Sequence, residues 1–206
     1  MTAANTEDIR AEVRKICAEV LPVGWRGLGG LEVAERTPFL DKWRATLVEH
    51  RLLVPGWPEQ FGGRAARVDE QVAIAEELIR RGLPALPHHN DAYGVSLLGP
   101  TLLEWGTEQQ RERFLGPTVD GTIRWAQGYS ESDAGSDLFA LRTRAERTSA
   151  GWRINGHKIW QTAGLSANWL FALVRTDAEA PRAKGLSFML LPLTLDGVDV
   201  RGIKNV

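Results

Sequence analysis

Gln127-Gly128-Tyr129-Ser130-Glu131-Ser132-Asp133-Ala134-Gly135-Ser136-Asp137-Leu138 marks the place where the chain changes character. Upstream, the pattern is helical. Ile9, Val13, Ile16 and Val20 repeat at three- and four-residue steps, the period of an amphipathic helix. Thr6 reads as its cap, Glu7 and Asp8 lie in its first turn, and Pro22 and Gly24 end it. A second helix is predicted from Thr37-Pro38, with Phe39, Trp43 and Leu47 inward. Residues 52–64, rich in Gly and Pro, read as a loop. A third helix is predicted from Arg67 to Arg81, with Val72, Ala75, Leu78 and Ile79 on its buried face and Gly82 as its stop. Two more follow, over Val95–Trp105 and Glu108–Leu115, the latter capped by Thr107. From about Gly121 the segments become short, β-branched or aromatic, and separated by turns. Residues 122–129, 140–147, 152–160, 169–176, 185–193 and 197–203 read as strands. Asn155-Gly156 is a two-residue hairpin signal, and Ser149-Ala150-Gly151 makes another tight connection. Helices first and strands afterwards predict an α+β protein, with a helical domain over residues 1–120 and a β-domain over 121–206.

Composition narrows the function. A net charge of -1 over 206 residues, with Lys and Arg scattered, argues against a nucleic-acid partner. Cys17 is the only cysteine, so no internal disulfide and no thiolate metal cage forms, and a reducing, cytoplasmic location is expected. Cys17 borders an apolar helix stripe and reads as a buried, inert thiol. No stretch reaches the roughly 18 apolar residues that cross a bilayer, and the first 15 residues lack the order of a signal peptide. Core packing accounts for most of the eight tryptophans. The segment 197–206 stops in mid-pattern, and an antiparallel sheet ending there leaves an open edge. The chain therefore reads as truncated, or as pairing with something else.

Most catalytic motifs are absent: no phosphate loop, no GxGxxG after a strand, no HExxH, CxxC or GxSxG. The glycines at 24–30 read as a plain loop. His88-His89 sit in a Pro-flanked loop without a carboxylate cluster, so no metal site is assigned. Two stretches stand out. Residues 127–138 combine hydroxyls with Gly135-Ser136, whose backbone N–H groups could nest an anion; read alone, this is an ordinary polar turn. Residues 154–164 end in Trp160-Gln161-Thr162. A tryptophan and a hydroxyl at a strand end suit a flat aromatic ring; read alone, Trp160 is a core residue.

Taken in order, the two stretches resemble the acyl-CoA dehydrogenase family. Ser130-Glu131-Ser132-Asp133-Ala134-Gly135-Ser136-Asp137 is similar to the family's T/S-E-P-G-A-G-S-D, and Asn155-Gly156-His157-Lys158-Ile159-Trp160-Gln161-Thr162 to its N-G-x-K-x-W-I-T. Trp57-Pro58-Glu59-Gln60-Phe61-Gly62-Gly63 resembles the family's Pro-rich aromatic-Gly-Gly turn, and Gly106-Thr107-Glu108-Gln109-Gln110 with Phe114-Leu115 its G-x-x-x-Q helix. The likeness covers almost the whole chain. It implies a helical domain, a barrel-like antiparallel middle domain that is cut short here, and a C-terminal four-helix bundle that this sequence does not match. It also implies FAD as cofactor. Gln127, Tyr129 and Ser130 would line the flavin ring, and Gly135 and Ser136 its phosphate and ribityl end, with Ser136 also near the acyl-CoA thioester. Trp160 would cover one ring face, and Thr162 would bond near N5. Tyr93, at the turn before the 95–105 helix, would flank the acyl chain. Ser132-Asp133 departs from the family's Pro-Gly and sets a carboxylate near a pyrophosphate.

The implied reaction is α,β-dehydrogenation of an acyl-CoA, which needs a base and hydrogen bonds to the thioester oxygen. The family's base is a glutamate on the bundle, so no residue here is assigned that role. General acid–base catalysis contributes about 10²–10⁴-fold, so the chain alone should be feebly active at best. An acyl-CoA oxidase or flavin monooxygenase on the same fold, and a non-catalytic binding or assembly subunit, remain alternatives. Expected partners are an acyl-CoA, electron-transfer flavoprotein or a similar acceptor, and either further copies of the chain or a bundle-bearing partner.

Overall fold

The structure, a computed structural model, describes residues 3–203. Helices α1 (Ala3–Val20), α2 (Val33–Glu49), α3 (Val68–Arg80), α4 (His89–Asp91), α5 (Gly99–Trp105) and α6 (Glu108–Asp120) come first, with a π-helical turn, Ala92–Leu98, between α4 and α5. None is long and apolar enough to cross a membrane. The α1 stripe buries Ile9, Val13, Ile16 and Cys17 as its spacing requires, and burial pushes the Cys17 thiol up. The helix runs back through Ala3 and Ala4, strong helix formers, so Thr6 lies inside it rather than capping it.

Two helices differ from their sequence patterns for electrostatic reasons. The α2 helix starts before Thr37-Pro38, because the Glu35 carboxylate accepts the Glu32 N–H at 3.2 Å and closes an earlier end. Pro38 falls inside it. The α3 helix has the expected span but a different buried face: Ala73, Ile74, Glu77 and Leu78 point inward, while Val72 and Ile79 are 49% and 74% exposed. Glu77 sets the rotation. Its carboxylate accepts Arg81 at 2.6 Å and Arg80 at 3.1 Å, and faces Arg10 and Arg14 of α1 at 3.6 and 3.5 Å. Those guanidiniums outweigh the cost of burial and hold its pKa below the usual carboxylate range. Thr107 caps α6 as expected, accepting the Gln110 N–H while Gln110 Oε1 accepts the Thr107 N–H. The helix continues past Leu115 to Asp120 and ends at Gly121, whose φ is 85°.

The sheet contains β1 (Trp125–Gly128), β2 (Arg144–Thr148), β3 (Gly151–Asn155), β4 (Trp169–Arg175) and β5 (Leu186–Pro192). The α+β order is as expected, but the pairing is mixed rather than antiparallel throughout. Along one side of β4 lies antiparallel β5; along the other, parallel β1 and then one parallel step to β2 at Arg144↔Arg175. Parallel neighbours need a long crossover, and 40 residues containing the β2–β3 hairpin separate β1 from β4. Among the described residues β1, β3 and β5 each pair on one side only, and no barrel closes. The hairpin turns at Ser149-Ala150, with Gly151 at φ 131°. Asn155-Gly156 is not a turn: Asn155 pairs with Arg144, and a Cβ on Gly156 would lie 2.3 Å from Thr143 Oγ1. Residues 197–203 form no strand and lie instead along two clefts.

Alternation decides which face of the sheet meets the helices. Trp125 and Phe171 face them, while Ala126, Ala172 and Val174 face away. Trp125 packs against Phe114 and Trp169 at ring separations of 5.8 and 5.6 Å and donates from Nε1 to Thr118 at 2.8 Å. Gly94 makes this approach possible, since a Cβ there would sit 2.7 Å from Thr118 and 2.9 Å from Trp125. Trp43, Trp57 and Trp125 are core residues; Trp105, Trp152 and Trp160 are exposed.

Candidate functional site

The two stretches singled out in the sequence meet. Ile159 N–H donates to the Ser130 carbonyl at 3.0 Å. One residue back, Lys158 Nζ donates to the Tyr129 carbonyl at 3.1 Å and to Glu131 Oε1 at 2.7 Å. The 130–136 segment begins with a tight turn in which Glu131 and Ala134 exchange backbone bonds at 3.0 and 3.2 Å. Glu131 also accepts from Arg142 N–H (2.7 Å), Thr143 N–H (3.0 Å) and the Thr143 hydroxyl (2.5 Å). Burial pushes the Glu131 carboxyl up, but Lys158, Thr143 and the two amides outweigh it and hold it at about 2. Burial also draws the Lys158 ammonium below its ordinary value, against the pull of Glu131.

Trp160 is not a core residue. It is 68% exposed and carries φ 67°, a left-handed conformation that costs a bulky residue free energy and survives only where the surroundings impose it. Trp160 and Thr162 line a cleft of about 670 Å³ together with Leu165, Val200 and Ile203. A second cleft of about 500 Å³ opens beside it on the Ala126–Ala172 face, touching Lys158, Gln161 and Arg201. Gln127, Tyr129, Ser130, Gly135 and Ser136 line neither cleft. Gly135 and Ser136 are exposed beyond the turn, and a Cβ on Gly135 would meet nothing within 4 Å. Among the described residues, the Gln127 amide and the Ser130, Ser136 and Thr162 hydroxyls bond to no other side chain or backbone. They are donors and acceptors left for something else. Asp133, the departure from Pro-Gly, faces Arg142 at 3.4 Å, so its charge has a partner.

Tyr93 arrives from the helical side. Its ring lies 6.4 Å from that of Phe171, and Tyr129 meets the same Phe171 edge-on at 6.0 Å. Burial raises the Tyr129 phenol above its ordinary value, keeping it a neutral donor. Phe171 and Phe188, stacked at 5.6 Å, join the wall without having been singled out, because in sequence they are indistinguishable from core strand residues. Asn90 is a further omission. It is buried; its Nδ2 donates to the Trp125 and Ala163 carbonyls at 2.9 and 3.3 Å, and its Oδ1 accepts the Ser166 hydroxyl at 2.8 Å. It ties the helical region to the loop that carries Trp160, since β3 ends at Asn155 and the strand expected over 152–160 stops there. His88 Nε2 lies 3.0 Å from Asp41 Oδ1, and among the described residues no group of three or more His, Cys, Asp or Glu is placed to hold a metal.

The N-terminal domain of acyl-CoA dehydrogenases matches residues 3–122, and their middle domain residues 126–206. The acyl-CoA dehydrogenase IpdE1 of Mycobacterium tuberculosis is 40% identical across 98% of this chain, and IpdE1 of Mycolicibacterium smegmatis 38% identical across 98%. The chain spans 53% and 54% of their lengths, about half of each. Among solved structures, the Tcur3481-Tcur3483 steroid ACAD is 34% identical with a TM-score of 0.72, covering 96% of this chain and 50% of that one. The ChsE4-ChsE5 complex from Mycobacterium tuberculosis gives 26% and 0.69, over 94% of this chain and 48% of its own. Two domain matches that together take in nearly every residue, on a fold that superposes, place the chain in the acyl-CoA dehydrogenase family.

Proposed function

We propose that this chain supplies the flavin-contacting and acyl-contacting walls of an enzyme that dehydrogenates an acyl-CoA thioester between Cα and Cβ. The observation that carries the reading is the hydrogen-bonded junction of the Ser130 turn with the loop that leads into Trp160–Thr162, whose exposed tryptophan is held at positive φ. FAD fits the residues present and, when bound, accepts the β-hydrogen as hydride. Trp160 offers a ring face for stacking. Gln127, Ser130 and Thr162 offer unspent hydrogen-bonding groups for the polar edge, and Gly135-Ser136 an open approach for phosphate. Tyr93, Tyr129 and Phe171 form an aromatic wall that suits an apolar acyl group, and a bulky steroid-type thioester agrees with the relatives. No residue of this chain is assigned as the base. We assign it to a bundle-bearing segment or partner chain, in keeping with relatives of twice the length and with neighbours solved as two-component assemblies. Electron-transfer flavoprotein or a similar acceptor would reoxidise the flavin. The single, buried Cys17 suits a reducing, cytoplasmic setting.

The test is titration of FAD into the purified chain, followed by quenching of tryptophan and flavin fluorescence. Saturable quenching that weakens when Trp160 is replaced by Phe is expected. Absence of saturable binding, alone and with a bundle-bearing partner, overturns the reading.

A further inference from the structure

Beneath the junction lies a buried charge pair to which the chemistry above gives no part. Lys158 and Glu131 side chains are each 9% exposed. Four donors converge on one carboxylate: Lys158 Nζ, the Thr143 hydroxyl and the Arg142 and Thr143 amides. Lys158 spends a further hydrogen bond on the Tyr129 carbonyl. Its position matters more than its strength. Tyr129 and Glu131 flank Ser130, and Lys158 immediately precedes Ile159, whose N–H holds the Ser130 carbonyl. The pair thus closes on both sides of the one backbone bond that joins the two walls. Two residues further on, Trp160 sits at φ 67°, a conformation that must be over-determined by its surroundings. Fully satisfied polar networks of this kind rigidify what they touch, whereas a surface ion pair would contribute little.

We infer that Lys158 and Glu131 are positioning residues, a clamp that holds the Ser130 turn against the loop carrying Trp160 and Thr162 and so sets the placement of one relative to the other. That a flavin ring lies against these two segments rests on the reading proposed above; the clamp itself stands on the geometry alone.

The experiment uses the whole chain carrying Lys158→Met, Lys158→Arg or Glu131→Gln, with two readouts. Amide hydrogen exchange reports the junction, and FAD titration with the bound-flavin absorption spectrum reports the placement of the two segments. In Lys158→Met, exchange at Ile159 and Thr143 should accelerate about tenfold or more, FAD affinity should fall by a similar factor, and the flavin band should shift, while protection of α1 and α3 stays unchanged. Lys158→Arg, which keeps the charge and the donors, should recover most of both. Wild-type exchange at Ile159 in Lys158→Met overturns the clamp. Faster exchange with unaltered FAD affinity and spectrum overturns the positioning role and leaves a purely structural pair. Should Lys158→Met fail to fold, Glu131→Gln, nearly isosteric, is expected to change both readouts in the same direction, and unchanged readouts there count against the inference equally. Should the wild type bind no FAD, alone and with a bundle-bearing partner, the flavin reading fails on its own, and exchange at Ile159 still decides the clamp.

Discussion

Acid should loosen the sheet region through one carboxylate. Glu131 titrates near 2 in the fold against 4.5 in the open chain. A group whose folded pKa is depressed stabilises the fold above its unfolded value, and loses that contribution as pH falls through the folded one. A difference of that size corresponds to about 3 kcal/mol at pH 7. Most of it is lost by pH 3, and almost all by pH 2. The size agrees with the roughly 3–5 kcal/mol lost when one partner of a buried pair is removed. Asp69 and Glu77 are also held low, so the wild-type curve alone mixes several groups. The comparison with Glu131→Gln separates them. Urea unfolding of both proteins from pH 2 to 7, followed by tryptophan fluorescence, should show a stability gap of about 3 kcal/mol at neutrality that closes steeply between pH 4 and 2. A gap that stays constant across this range would refute the assignment of the low pKa to Glu131.

Other perturbations give separable results. Asn90→Ala strips the Trp125 and Ala163 carbonyls of a donor and should cost about 1–3 kcal/mol in denaturant unfolding. Gly94→Ala drives a methyl to within 2.7 Å of Thr118 and should cost about 1–3 kcal/mol by overpacking, read as a lowered thermal midpoint. Trp160→Gly should leave stability within about 1 kcal/mol of wild type, because relief of the left-handed backbone, worth about 1–2 kcal/mol, offsets the extra chain entropy of glycine. The same variant should lose FAD binding by fluorescence titration.

Periodicity revealed elements wherever burial alone governs them. The α1 stripe, the α3 span and the β4 and β5 runs follow from spacing and β-branching. It misled where a charge or a contact from far along the chain decides. The buried face of α3 turns on Glu77, which hydropathy places outside. Asn155-Gly156 carries turn chemistry, yet its glycine answers to Thr143 rather than to a turn. The parallel β1–β4 partnership depends on which strands meet after 40 residues, and no local signal encodes that. In the candidate site, the junction of the two motifs follows from their order, and Trp160 was marked by its neighbours. Glu131 and Lys158 were visible as letters of the two motifs, but their mutual pairing depends on folding. Asn90, in a histidine-rich loop, offered no signal.

The excursion from Gly128 to Trp169 joins two adjacent strands, and its base is stitched where the Arg124 carbonyl accepts the Asn168 and Trp169 amides at 2.9 and 3.1 Å. The Ser130 turn, the Trp160–Thr162 segment and the clamp between them lie on this one lasso. Lengthening its tip at the exposed Ser149-Ala150 turn therefore leaves the walls in place, since nothing there touches them. A slip of β4 along β1 would instead drag the noose itself, displacing the Trp160 side against the Ser130 side by a whole strand step. The sheet's register is thus the ruler for the site.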